Sequence, residues 1–311
     1  MERIRFDIRP DDGAMLEHEE SNLHYMDGFQ YGGNRSTRID YIPVDGSMIP
    51  VVRYKIYDAY PEVMNGFSTR FGGVSTKHLY SLNLSFSRGD KSENVMENHR
   101  RFGAAAGYDH RRLVFSDQVH DTKIHVVSDA DAGKGMMTAS DLKGIDGLVT
   151  DVKNLPLITF YADCVPLYFY DPVQRVIGLA HSGWKGTVAN IAAEMVRKME
   201  TVYGCQAQDI RCAIGPSICV HCYEVSEDVA EKFRQTYNES QFSDMIYDKG
   251  NGKYQLDLHK ACRYNLIGAG VQKENIAMPD LCTCCNPNIF YSHRASHGMR
   301  GNLAAVMMLL A

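Results

Sequence analysis

The sequence predicts an α+β fold, a single domain in which strands and helices are interleaved. Three observations lead there. Short apolar runs rich in β-branched and aromatic residues recur along the chain, separated by glycine and proline turns. Between them lie stretches with apolar residues at helical spacing, such as Val188, Ile191, Ala192, Met195, Val196 and Met199. No repeat and no low-complexity linker divides the 311 residues.

The elements follow in order. Residues 3–9 alternate charged and apolar side chains, the period of a strand. Residues 10–40 are polar, with Gly32 and Gly33, and read as loop or hairpin. Residues 48–57 are strand-like, and 66–75 read as a strand running into a glycine turn. A helix is expected over 91–106, with Asp90 as N-cap, Glu93 completing a capping box and Gly107 ending it. Residues 114–119 form a short strand leading into His120, and 142–182 hold three more strand-like runs. Helices follow over 187–203, closed by Gly204, from Ser226 to Tyr237, and over 256–269, closed by Gly270. A last strand over 289–292 precedes an apolar C-terminal stretch. Residues 1–60 are expected as an N-terminal extension packed on the core, and 61–311 as the main domain.

Composition narrows the function. Hydrophobic residues at 44% and charged residues at 23% are ordinary for a soluble globular chain. A net charge of −5 argues against a nucleic-acid partner. No apolar stretch is long enough to span a bilayer, and residues 1–10 lack the apolar core of a secretory leader, so no membrane partner and a cytoplasmic location are expected. Nine cysteines in a reducing compartment read as thiols or ligands rather than disulfides.

The chemistry concentrates in Tyr161-Ala-Asp-Cys-Val-Pro166 and Gly178-Leu-Ala-His-Ser-Gly-Trp-Lys-Gly186. Cys164 and His181 each follow a strand-like run, and His120 ends a third. Such a set permits a cysteine nucleophile with a histidine base, or a His/Cys/His zinc site whose fourth position stays open for chemistry. Spacing by itself favours a plainer reading, two hydrogen-bonded histidines and a small buried thiol, because none of the three sits in a tight metal motif. Gly183-Trp-Lys-Gly-Thr187 is either an anion-binding strand-to-helix turn, with Lys185 adding charge, or a turn that simply needs small residues. Arg70 and Arg294 are candidate contacts for an anionic substrate or surface ion-pair partners. Cys219-Val-His-Cys222 and Cys282-Thr-Cys-Cys285 suggest a four-ligand zinc site, but the C-x-C-C spacing favours buried thiols.

Taken together, the motifs resemble one family. Phe67-Ser-Thr-Arg-Phe-Gly-Gly-Val-Ser75, Ser81-Leu-Asn-Leu84 with Gly89-Asp90, Gln118-Val-His120, Ala162-Asp-Cys-Val-Pro166, Ala180-His-Ser-Gly-Trp-Lys-Gly186, Ala213-Ile-Gly-Pro-Ser-Ile218, Cys222-Tyr-Glu-Val225 and Cys282-Thr-Cys-Cys285 are similar, in order, to the laccase-domain purine nucleoside phosphorylases, formerly called multicopper polyphenol oxidases. The resemblance covers roughly residues 60–311. It implies a four-layer α/β/β/α fold with mixed sheets, related to the cysteine-hydrolase domain of cytotoxic necrotizing factor. It implies Zn2+ held by His120, Cys164 and His181, and catalysis by the same three residues. The implied reactions are phosphorolysis of adenosine, inosine, guanosine and methylthioadenosine, and deamination of adenosine. Purine nucleosides and phosphate would be the ligands, with phosphate near the glycine turn and Arg70, and the chain a monomer or small homo-oligomer. Asp163 is a candidate proton shuttle or a residue that only fixes the strand end. Lys185 stands where the family often has Arg, and Asp121 where Gly is common.

Three rival readings remain at this point, one of them a non-catalytic binding protein built on the same fold, against which the intact His120, Cys164 and His181 set argues. A metal-independent cysteine hydrolase of amidase type would use Cys164 as nucleophile and His181 as base. A copper phenol oxidase would need histidine clusters, commonly H-x-H pairs, and the chain has no such pair.

Overall fold

The computed structural model describes residues 35–311, so the strand expected over 3–9 lies outside the described residues. Fifteen strands and six α-helices follow. In chain order they are β1 (Thr37–Val44), β2 (Ser47–Tyr54), β3 (Val63–Ser68), α1 (Ser92–Ala106), β4 (Val114–Phe115), β5 (Ile124–Val126), β6 (Gly147–Thr150), β7 (Leu157–Tyr161), β8 (Val165–Asp171) and β9 (Val176–Ser182). Then come α2 (Trp184–Val188), α3 (Ile191–Tyr203), β10 (Arg211–Ile214), β11 (Glu224–Ser226), α4 (Glu227–Thr236), α5 (Glu239–Met245), β12 (Ile246–Gly250), β13 (Lys253–Leu256), α6 (Leu258–Gly268), β14 (Ile276–Ala277) and β15 (Leu303–Leu309).

Two six-stranded sheets carry the fold, ordered β1-β2-β3-β15-β7-β4 and β14-β10-β8-β9-β6-β5. Most neighbours are antiparallel, but β4–β7, β5–β6 and β10–β14 are parallel, so both sheets are mixed. Side-chain alternation along β15 shows how the layers form. Leu303, Ala305, Met307 and Leu309 face a core between the two sheets, with Phe67, Tyr161, Tyr168 and Leu179. Ala304, Val306 and Met308 face the other way, onto Phe102 and Ala105 of α1. On the far side, Val165, Leu167 and Phe169 of β8 bury against Ile191, Met195 and Met199 of α3 and Leu266 of α6. The result is the expected α/β/β/α stack. Gly178 of β9 permits the close approach of α3, since a Cβ there would stand 2.8 Å from the Met195 sulfur.

Several elements differ from expectation. Of the stretch 10–40 read as loop or hairpin, 10–34 lies outside the described residues, and 37–44 form β1, the first strand of a hairpin with β2 in which Arg38 and Asp40 take solvent-side positions. That hairpin extends the first sheet from β3 and puts Ile49, Val51, Val52 and Tyr54 into buried positions. Asp90 does not cap α1. Lys91 holds that position without a side-chain bond, while Asp90 accepts from Ser75, Asn83 and Asn94 and ties two loops to the first turn of α1. The strand over 114–119 shortens to β4. The span 142–182 holds four strands, β6 to β9, rather than three. The helix over 187–203 is two helices broken at Asn190, which is left-handed and caps α3 through Ala193 N–H. Residues 289–292 are not a strand. Phe290 and Tyr291 fill the inter-sheet core without joining a ladder, and β15 takes the sheet position.

Candidate metal centre and substrate cleft

Strand register brings Cys164 and His181 together. β8 and β9 form an antiparallel hairpin in which Pro166 pairs with His181 and Val165 with Ser182. His181 shares the parity of Ile177 and Leu179, which face the inter-sheet core, so its imidazole sits on that face at the strand end. Cys164 lies just before β8 and packs on the same core. His120 arrives from the loop after β4. Its Nε2 lies 3.9 Å from Cys164 Sγ, and its ring centroid lies 4.8 Å from that of His181. One ligand atom from each of the three falls within 4.8 Å of the others.

Asp146, unremarked in the sequence, organises the set. It is fully buried at the start of β6. Its Oδ1 accepts His120 N–H at 3.0 Å and His181 Nδ1–H at 2.9 Å. Its Oδ2 accepts Val119 N–H at 3.0 Å and Asp121 N–H at 2.9 Å. The carboxylate therefore fixes the tautomer of His181 and leaves its Nε2 free to bind, the usual support of a metal-bound histidine. Burial opposes the charge on Asp146, but the hydrogen bonds from His181 and the backbone prevail and hold it below the ordinary carboxylate range.

His120 and Asp163 both adopt left-handed backbone, with φ of 66° and 88°. Such conformations cost free energy for non-glycine residues and persist where surrounding contacts impose them. At Asp163 those contacts are visible. Thr283 Oγ1 donates to its Oδ1 and Arg294 N–H to its Oδ2, each at 2.7 Å. Both carboxylate oxygens are thus engaged in fixing the turn before Cys164. Gly183 closes the other side, where a Cβ would meet His120 Cδ2 at 2.7 Å and Cys164 Sγ at 3.3 Å.

The electrostatics couple the thiol to the imidazoles. Burial pushes the Cys164 thiol up, but His181 and His120 outweigh it and bring it down to about 6. Burial disfavours His181 in its charged form, yet the Cys164 thiolate and Asp146 raise it to about 9. A thiolate and two imidazoles are soft and borderline donors suited to zinc. With zinc bonds of about 2.0–2.3 Å, tetrahedral ligands stand roughly 3.3–3.8 Å apart, close to the spacing seen here. The donor set, the clearance at Gly183 and the support from Asp146 all fit a zinc ion.

The three residues open onto a cleft of about 270 Å³. Phe86, Phe115 and Phe160 form an aromatic wall, and Ser85, Ser116, Gln118 and Asn302 add polar groups. Arg88 and Arg300 line the same cleft. The Nε of each is buried with no hydrogen-bond partner. Burial first, and then the charge of Arg88, lower Arg300 to about 10. Two guanidiniums of like charge lining one cleft make a site for an anion.

The arginines and lysine expected at the substrate are placed elsewhere. Arg70 donates to the carbonyls of Tyr80 and Pro287, each at 2.9 Å, and covers the Tyr291 ring. Arg294 donates to the carbonyls of Cys222 and Glu224. Lys185 is exposed on α2, beside the Trp184 ring. None of the three lines the cleft. The cysteines read as buried thiols are only partly so. Cys219, Cys222, Cys282 and Cys285 converge, with one sulfur from each within 4.8 Å of the others, and of the four Cys282 alone is buried.

Fold and site together define the class, and comparison with known sequences agrees. The chain belongs to the multi-copper polyphenol oxidoreductase laccase family, whose sequence model matches residues 64–310. Among its relatives is the purine nucleoside phosphorylase YlmD of Bacillus subtilis, 39% identical over 243 residues, covering 78% of this chain and 87% of that protein. The mouse purine nucleoside phosphorylase LACC1 is 33% identical over 237 residues, covering 74% of this chain and 52% of that protein. The crystal structure of YlmD from Geobacillus stearothermophilus superposes with a TM-score of 0.80 at 32% identity, covering 88% of this chain and all of the other.

Proposed function

We propose that this protein is a zinc-dependent purine nucleoside phosphorylase. It acts on adenosine, inosine, guanosine and methylthioadenosine, and also deaminates adenosine. The observation that carries the reading is the cleft itself. A His/Cys/His set, an aromatic wall and two arginines face one space, in a chain whose relatives bear the phosphorylase name.

His120, Cys164 and His181 would hold the zinc, which when bound supplies a Lewis acid with one vacant position. Phe86, Phe115 and Phe160 offer flat apolar surface to a purine. Arg88 and Arg300 hold phosphate and orient one of its oxygens toward ribose C1′. In phosphorolysis that oxygen forms a bond to C1′ as the glycosidic C1′–N bond breaks. The electron pair leaves with the base, which takes up a proton. In deamination water replaces the amine at purine C6 and ammonia leaves. Asp146 acts behind the ligands and touches no substrate. Nine free thiols accord with a cytoplasmic enzyme. Among the described residues, no helix is long and apolar enough to cross a membrane.

The test is product analysis. Inosine with phosphate should yield hypoxanthine and ribose 1-phosphate, and adenosine without phosphate should yield inosine and ammonia. Arg300→Ala should raise KM for phosphate about 10-fold or more, the scale of one lost charged hydrogen bond. Turnover that persists after zinc is stripped, or inosine cleavage that proceeds without phosphate, overturns the reading.

One alternative has a specific observation behind it. Cys164, His181 and Asp146 also form a nucleophile–base–orienter series. A cysteine hydrolase of this kind would survive chelation and fall to thiol alkylation alone.

A further inference from the structure

We propose a second metal site, built from Cys219, Cys222, Cys282 and Cys285 and holding one zinc ion in a closed tetrathiolate shell. The loop after β10 supplies the first two cysteines and the loop after β14 the others. In each loop the two ligands are separated by two residues, the C-x₂-C spacing of structural zinc sites. The extra thiol of Cys284 hides this pattern in the sequence.

Geometry carries the assignment. Cys219 Sγ lies 3.8 Å and Cys222 Sγ 3.5 Å from Cys285 Sγ. Four sulfurs at about 2.3 Å from one tetrahedral ion stand about 3.8 Å apart. A disulfide would bring two of them to about 2.05 Å. The sulfurs therefore surround the space of an ion rather than pair. Cys219 N–H and Cys285 N–H donate to Cys282 Sγ at 3.2 and 3.3 Å, as N–H groups do around metal-bound thiolates. Four soft thiolates with no open position suit structural zinc and exclude hard cations such as magnesium or calcium.

The site reaches the catalytic cleft. Thr283, inside the second pair, donates to Asp163 Oδ1 and takes its own backbone partner from Ser217. Ile218, next to Cys219, donates its N–H to the Asp163 carbonyl at 3.0 Å. Both cysteine loops thus grip Asp163, the left-handed residue before Cys164. The second zinc is a staple that sets the position of a ligand to the first, and Thr283 is a positioning residue.

Metal analysis of the full chain, purified without chelator, tests this. Wild-type protein should carry about two zinc ions per chain, and His120→Ala/Cys164→Ser, which removes the first site, about one. Cobalt loaded into that double variant should give the intense visible bands of a tetrahedral thiolate complex. Cys219→Ser/Cys285→Ser should lose one zinc relative to wild type. If this variant fails to fold, the double variant lacking the first site still decides the matter. Iron in place of zinc, no metal in that double variant, or a metal-free denatured mass two hydrogen atoms short, which marks a disulfide, overturns the proposal. Thr283→Val should keep the tetrathiolate zinc and release the other to a chelator about 10-fold more readily. Unchanged release refutes the link between the sites.

Discussion

Asp146→Asn probes the site more sharply than loss of a ligand does, because it changes no metal donor. The carboxylate accepts four hydrogen bonds, two on each oxygen, from His120 N, His181 Nδ1, Val119 N and Asp121 N. A carboxamide has one accepting oxygen and one donating nitrogen. Whichever way it turns, its NH2 group faces two donors. If it faces Val119 and Asp121, two half-buried backbone N–H groups lose their acceptor. If it faces His120 and His181, one backbone N–H is orphaned, and His181 must move its proton to Nε2, the atom needed for the metal. One unsatisfied donor costs about 1–3 kcal/mol, and the amide takes the cheaper orientation, so the variant should lose about 1–3 kcal/mol of stability. That leaves a typical domain folded but weakened. Loss of such support also lowers metal affinity about 10- to 100-fold. Urea unfolding, with chelator competition read by a zinc indicator, measures both effects. An Asp146→Asn variant with wild-type midpoint and zinc retention would refute the idea that this carboxylate organises the centre.

Other predictions are independent of that one. His99 is fully buried, donates through Nε2 to the Leu84 carbonyl at 2.7 Å, and has no partner for Nδ1. Burial lowers it to about 4, so it is neutral in the folded protein near neutrality. Its depressed value means the unfolded chain takes up the proton first. Stability is unaffected above about 6.5 and falls by about 3 kcal/mol as pH drops to 4. Comparing urea midpoints of wild type and His99→Phe across that range should show the two curves converging, and parallel curves would contradict the assignment. Gly183→Ala should keep the fold, since φ at 183 is −76°, but push a methyl against His120 and Cys164. Zinc content should drop while the far-ultraviolet circular dichroism stays unchanged. Equal zinc in both proteins would show that the ligands do not close over this residue.

How much of this is legible beforehand depends on the range of the interaction. His120, Cys164 and His181 stand out because each follows an apolar run, and the hairpin register of β8 and β9 then brings two of them together. Helix ends at Gly107 and Gly204 are readable because left-handed glycine is a local requirement. Asp146 is not readable, since its partners lie 25 to 35 residues away and nothing nearby marks it. Arg88 and Arg300 look like any surface arginines until the sheets bring them to one cleft. Arg70 carries a familiar motif, yet two of its donors go to backbone carbonyls and it does not line the cleft. The cysteine pairs mislead because Cys284 breaks the visual spacing, and the two halves, about 60 residues apart, meet only once the chain folds, as at the Ser217–Cys282 bridge. Phe290 and Tyr291 have strand propensity, but the inter-sheet core claims their side chains while β15 takes the ladder.

The placement of β15 has a consequence for how the protein is made. This strand lies between β3 and β7, hydrogen-bonded to both, and every residue in it is buried. A nascent chain released up to residue 302 would carry two half-sheets with unpaired inner edges, each offering a template to another molecule. The first sheet closes only when residues 303–309 have cleared the ribosomal tunnel. Fragments that stop short of 303 should therefore aggregate during expression.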